Sequence, residues 1–146
     1  IPYYIALFSA SVLVGRVGVG MLFDRKNAKR VAAIVAIGGA AGALLLTGPA
    51  PALAIPLAII LVGLMQGSET DVLAWFVSRL FGQAHYSAIF GGLVLASLTG
   101  TAAGVVGFGR LYDYAQNYDI ALVGAAALLA AGGLTYLLLP RVRLPD

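Results

Sequence analysis

The sequence predicts an all-α, polytopic bundle of transmembrane helices. Of its 146 residues only 10% are charged and 61% are hydrophobic, its mean hydropathy is +0.97, and its apolar residues fall into long stretches with cations at their ends. A soluble domain carries charge on about a quarter of its residues and hides its apolar side chains in a core. Here most of the surface must meet a solvent as apolar as the interior, and a lipid bilayer is that solvent. The net charge of +3 and pI near 9.5 do not indicate nucleic acid, because the basic residues flank apolar runs and do not line one face. The absence of cysteine excludes disulfides, thiolate metal sites and thiol nucleophiles. With His85 as the single histidine, no metal or other cofactor is expected. Ile1 leads directly into an apolar stretch with no basic n-region, which reads as a fragment of a longer chain.

A helix needs about 20 mostly apolar residues to cross the hydrocarbon. Five stretches qualify: residues 3–23, 31–48, 53–77, 88–111 and 120–139. The second is the shortest, and Lys29 and Arg30 at its start have stems long enough to reach the headgroups. The connections alternate in charge. Arg25, Lys26, Lys29, Arg30, Arg79, Arg141 and Arg143 fall on one side, while the other side has only Arg110. The positive-inside rule makes the first side cytoplasmic, so the chain enters from outside and its C-terminus is cytoplasmic, in a multi-pass plasma (bacterial inner) membrane protein. Tyr112, Tyr114 and Tyr118 then form an outer aromatic belt. Small residues recur as Gly38-x-x-x-Gly42, Gly63-x-x-x-Gly67 and Gly100-x-x-x-Gly104, a spacing that lets helix backbones approach closely in lipid, and tight bundle packing is the expectation for all three.

Three ionisable residues lie deep in these stretches: Arg16, Glu69 and Asp71. Such a group costs about 2.5–3.5 kcal/mol on insertion scales and faces a bundle interior or a water-filled cavity. Arg16 precedes Asp24 by two helical turns, about 12 Å, too deep for easy snorkelling. It is either a fixed cation that grips a substrate carboxylate with its guanidinium fork or half of an ion pair with Glu69 or Asp71. Glu69 and Asp71 stand about 200° apart around their helix, so they address different surroundings. Gln66, Glu69 and Leu73 share one face; Ser68, Asp71, Trp75 and Arg79 share the other. Either carboxylate could exchange a proton or serve as a paired structural anion. Trp75 could stack on substrate, though helix packing is the commoner use. The candidate substrate- or ion-contacting set is therefore Arg16, Gln66, Glu69, Asp71 and Trp75. The hydroxyls of Ser97 and Thr101 are expected to bond to their own helix.

The run from Gly15 to Arg30, GRVGVGMLFDRKNAKR, resembles the signature loop of the major facilitator superfamily, roughly G-x-x-x-D-R-x-G-R-R. Gly20, Asp24, Arg25 and Lys29 fill their positions; Asn27 stands where glycine is usual and Ala28 where a basic residue is usual. Asn tolerates a left-handed turn, so the turn is expected to survive. The stretch Gly109 to Asp119 is similar to the junction between the last two spans of that family. Gly67 to Asp71 together with Ser78 to Gly82 is similar to its bacterial oxalate/formate and monocarboxylate branch. The resemblance implies that residues 1–146 are spans eight to twelve of a twelve-span secondary transporter, part of its C-terminal six-helix bundle. It also implies two partners: the N-terminal half of the same protein and a small-molecule substrate. It further implies a gating loop made by Gly20, Asp24, Arg25, Lys29 and Arg30, with the Asp24 carboxylate against helix N-termini. The dianion-transporting members of that branch carry a second cation on the fourth of these spans. Here the only cation on that span is Arg110, at its outer end, which favours monoanions. The function expected is proton-coupled or exchanging transport of a monocarboxylate-like anion. The rival readings are a membrane scaffold that packs through its glycine faces and an intramembrane enzyme that uses Glu69 with Asp71, against which their separation on the helix argues.

Overall fold

The computed structural model describes residues 2–25 and 27–139, the side chains of Asp24 and Arg25 excepted. Five helices follow one another: α1 (Pro2–Arg25), α2 (Ala28–Leu44), α3 (Ala54–Phe81), α4 (Tyr86–Ala115) and α5 (Asp119–Leu138), with no strand among the described residues. Four of them, α1, α3, α4 and α5, are long and apolar enough to cross a membrane, which makes the chain a helical membrane protein. The second helix has 17 residues, about 25 Å against a hydrocarbon core of about 30 Å.

Helix ends depart from expectation for local reasons. The basic connection expected over residues 24–30 is almost consumed, because α1 absorbs Asp24 and Arg25 and α2 starts at Ala28. Asn27 does not form the left-handed turn expected of it; its backbone is extended, at φ −64° and ψ 98°. Its carbonyl accepts the Arg30 and Val31 amides at 2.9 and 3.2 Å, so it opens α2 through its backbone. At the other end α2 stops at Leu44, before the expected residue 48. Thr47 Oγ1 donates to the Leu44 carbonyl at 2.7 Å, Gly48 takes φ +66°, and Pro49 and Pro51 bar a continuing helix. In α4 the helix runs past residue 111 to Ala115 and ends where Gln116 turns left-handed and its amide donates to the Tyr112 carbonyl at 2.7 Å.

Packing follows the small residues. The face of α1 with Ser11 and Gly15 lies directly on the face of α3 with Gly63 and Gly67. A Cβ added at Gly63 would meet Ser11 Cβ at 2.7 Å, and one at Gly67 or Gly15 would run into the backbone of Val12 or Leu64. In lipid, such close approach supplies the van der Waals contact that a hydrophobic drive supplies in water. Gly42 packs in the same way on Leu61, and Gly133 of α5 on Ala36 of α2, each at 3.0 Å from a side-chain carbon to an added Cβ. The expectation of tight packing does not hold for Gly100 and Gly104, since a Cβ at either would touch nothing within 4 Å among the described residues. Their helix, α4, buries none of its residues.

A core of Val19, Phe23, Val31, Ala32, Val72 and Phe76 joins α1, α2 and α3 at one end of the bundle. Ala40, Ala43 and Ala126 join α2 to α5 toward the other. Side chains fix both ends of the α2–α5 pair: Lys29 Nζ donates to the carbonyls of Leu137, at 3.2 Å, and Leu139, and Asp119 Oδ1 accepts the Gly48 amide at 2.9 Å. The Lys29 side chain therefore folds onto the end of α5. Lys29, Arg30 and Arg79 gather at one end of the bundle, and Arg110 lies in the last turns of α4 at the other.

Candidate functional site

The third helix organises the polar residues. Glu69 and Asp71 lie near its middle, about 18 and 15 Å from its end at Phe81. Their separation around the helix sends them to different neighbours. Asp71 faces α1, where its Oδ2 is 3.8 Å from Arg16 Nε. Both side chains of that pair are open, 60% exposed for Arg16 and 40% for Asp71. At 3.8 Å the contact is longer than a hydrogen bond, so the guanidinium fork is not committed to Asp71.

Glu69 turns away toward α4, and its Oε1 accepts a hydrogen bond from Ser97 Oγ at 3.2 Å. The expectation that Ser97 bonds only within its own helix is thereby corrected. Thr101 does bond internally, Oγ1 donating to the Ser97 carbonyl at 3.0 Å. Glu69 also lines a cavity of about 210 Å³ between α2, α3 and α5, whose walls are Ala32, Val35, Met65, Val72 and Leu129 with the polar atoms of Ser68 and Tyr136. Ser68, assigned from helical angles to the Asp71 face, is buried in this wall and donates to the Met65 carbonyl at 2.9 Å.

Trp75 packs inside the bundle. Its ring stacks on Phe23 at 5.5 Å and 18°, meets Phe76 edge-on at 5.2 Å, and lies 5.8 Å below the Arg79 guanidinium carbon. Its buried Nε1 has no hydrogen-bond partner among the described residues. It also borders a shallow surface pocket with Asp71, Ser78, Gln83 and Tyr86. Gln66 is exposed on α3.

Of the residues expected to form a gating loop, Gly20 lies within α1, where an added Cβ would meet nothing within 4 Å among the described residues, and Arg30 is exposed on the first turn of α2. Lys29 supplies the cation at the α5 C-terminus, a helix with no basic residue of its own in its last turn. The side chains of Asp24 and Arg25 lie outside the described residues.

Helical spacing does not show that Ser97 reaches Glu69, that Tyr136 borders the same cavity, or that Lys29 serves a helix more than 100 positions away. Each depends on which helices become neighbours, and the one usable signal is a polar residue inside an apolar run. No protein family, curated protein or solved structure matches the chain.

Proposed function

We propose that this chain is most of the C-terminal half of a major facilitator-type secondary transporter in the bacterial inner membrane. In this reading the basic end of the bundle is cytoplasmic and the protein carries a small organic monoanion by alternating access. Arg16 carries the reading. It lies deep in the apolar run of α1, its guanidinium is farther than a hydrogen bond from Asp71, and 60% of its side chain is open on a face of α1 that it shares with exposed Leu13 and Val17. An arginine there cannot face lipid cheaply, so that face meets water, substrate and the other half of the transporter. The signature-like run from Gly15 to Arg30 supports the same family, and the lack of a second mid-span cation on α4 favours one negative charge on the substrate.

The test is uptake of labelled short-chain monocarboxylates by liposomes that hold the full-length protein bearing this sequence. Saturable uptake that Arg16→Gln removes is the expected result. No uptake of any monocarboxylate, or uptake unchanged in Arg16→Gln, overturns the proposal.

A further inference from the structure

The cavity of about 210 Å³ between α2, α3 and α5 lies apart from Arg16, since no residue of α1 lines it and Glu69 stands about 200° around α3 from Asp71. An apolar protein cavity of about 150 Å³ holds a benzene molecule. This one has room for a ring that carries a short chain. At its α5 rim Leu128 is exposed and Gly132 has no side chain, so the cavity opens at the apolar surface of the bundle.

Its polar lining is one-sided. Apart from the Met65 sulfur, every side-chain heteroatom there is an oxygen, from the Glu69 carboxyl and the hydroxyls of Ser68 and Tyr136. No side-chain nitrogen lines the cavity, and Glu69 has no cation within 4.0 Å among the described residues. Ser97 engages only Oε1 of that carboxyl, at 3.2 Å, and Oε2 has no hydrogen-bond partner among the described residues. Ser68 gives its proton to the Met65 carbonyl at 2.9 Å, which leaves its oxygen free to accept. Three acceptors among apolar walls match a primary ammonium, which brings three N–H donors and a positive charge. The aromatic ring of Tyr136 attracts a cation as well.

We propose that this cavity is a binding site for a small lipophilic primary amine, its aryl or short alkyl group between α2 and α5 and its nitrogen on Glu69, Ser68 and Tyr136. The pair needs one proton, whichever partner brings it, because ammonium with carboxylate and neutral amine with neutral acid contain the same atoms. Binding therefore does not depend on the state of Glu69 beforehand. An anion finds no donor side chain with a nitrogen here, so the site is separate from the one assigned to Arg16 and stands whether or not the chain belongs to a transporter. Gly132 gives a means of closing the cavity without disturbing the fold, since a Cβ added there meets nothing within 4 Å among the described residues.

The test is equilibrium binding of tritiated phenethylamine to the full-length protein bearing this sequence in lipid nanodiscs, with empty nanodiscs to subtract partition into lipid. Saturable binding is expected for the unaltered protein. Glu69→Gln and Gly132→Phe should each weaken it about tenfold or more, because one removes the charged acceptor and the other fills the mouth of the cavity. Phenethyl alcohol, of the same shape but neutral, should compete about tenfold less well than the unlabelled amine. Arg16→Gln and Asp71→Asn should leave binding unchanged. No saturable binding above empty nanodiscs, binding unaltered by Glu69→Gln or by Gly132→Phe, or binding lost in Asp71→Asn overturns the proposal. If Glu69→Gln does not accumulate in the membrane, the other two comparisons decide. Full binding in Gly132→Phe, or an alcohol that competes as well as the amine, then refutes the site.

Discussion

At the scale of single residues, Arg16 and Asp71 show how exposure decides what a charge pair does. A buried pair broken on one side costs about 3–5 kcal/mol, because the survivor is left buried and uncompensated. An open pair contributes about 0–1 kcal/mol in water. With 60% and 40% of their side chains exposed and 3.8 Å between them, Arg16 and Asp71 belong with the second kind. Arg16→Gln is therefore expected to insert and accumulate close to the unaltered level while monocarboxylate binding is lost. Arg16→Lys keeps the charge without the planar fork and is expected to bind more weakly than arginine but better than glutamine. Membrane yield and equilibrium binding check both, and a collapse in yield for Arg16→Gln that Asp71→Asn rescues would reassign the pair to structure. The sequence exposes the depth of Arg16 by counting from Asp24, and the 200° between Glu69 and Asp71 by helical geometry. It leaves open which carboxylate faces α1, because that is set by the rotation of α3 about its axis, and Gly63 and Gly67 lock that rotation against Val12 and Ser11.

At the scale of elements, glycine spacing is a necessary sign of close packing and not a sufficient one. Gly63-x-x-x-Gly67 lies in a crossing and Gly100-x-x-x-Gly104 lies on an open face, although the two motifs read alike in the sequence. Gly67→Leu would drive a side chain into the Val12 carbonyl and is expected to cost about 1–3 kcal/mol, seen as a lower unfolding temperature in detergent. A Cβ at Gly104 meets nothing within 4 Å among the described residues, so Gly104→Leu should stay within about 0.5 kcal/mol. Equal losses for the two would mean that α1 and α3 do not cross at their glycines. The α5 C-terminus makes the complementary point. Lacking a basic residue of its own in that turn, α5 takes its cation from Lys29 of α2. A charge at a helix C-terminus stabilises by about 0.3–1 kcal/mol, so Lys29→Met should speed hydrogen exchange in the last turn of α5 and leave its middle unchanged. Helix existence is legible throughout because apolar runs of this length have no other stable form in lipid. Helix ends are less so, since Asn27 and Gly48 act through backbone contacts that composition does not reveal.

At the scale of the whole molecule, the distribution of cations between the two ends of the bundle bears on how it sits in a membrane. Two long-range bonds fix which helix ends lie together without reference to a membrane: Lys29 to the end of α5, and Asp119 to the turn after α2. Residues 27–30, 82–85 and 139 consequently share one end, and residues 46–53 and 116–118 share the other. Lys29, Arg30 and Arg79 belong to the first end, with Arg25 and Lys26 beside them in sequence, and only Arg110 to the second. Under the positive-inside rule a bias of that size is expected to place the first end in the cytoplasm, because cations near span ends resist translocation. The chain contains no cysteine, so single-cysteine variants can be made without first removing any. Arg30→Cys and Gln83→Cys should react with an impermeant maleimide only after the membrane is opened, whereas Ala50→Cys and Asn117→Cys should react in intact cells. Labelling of all four from one side would break the five-helix alternation itself. The reversed pattern would keep the fold, place the Lys29 end outside, and remove the cytoplasmic gate that the signature-like run implies.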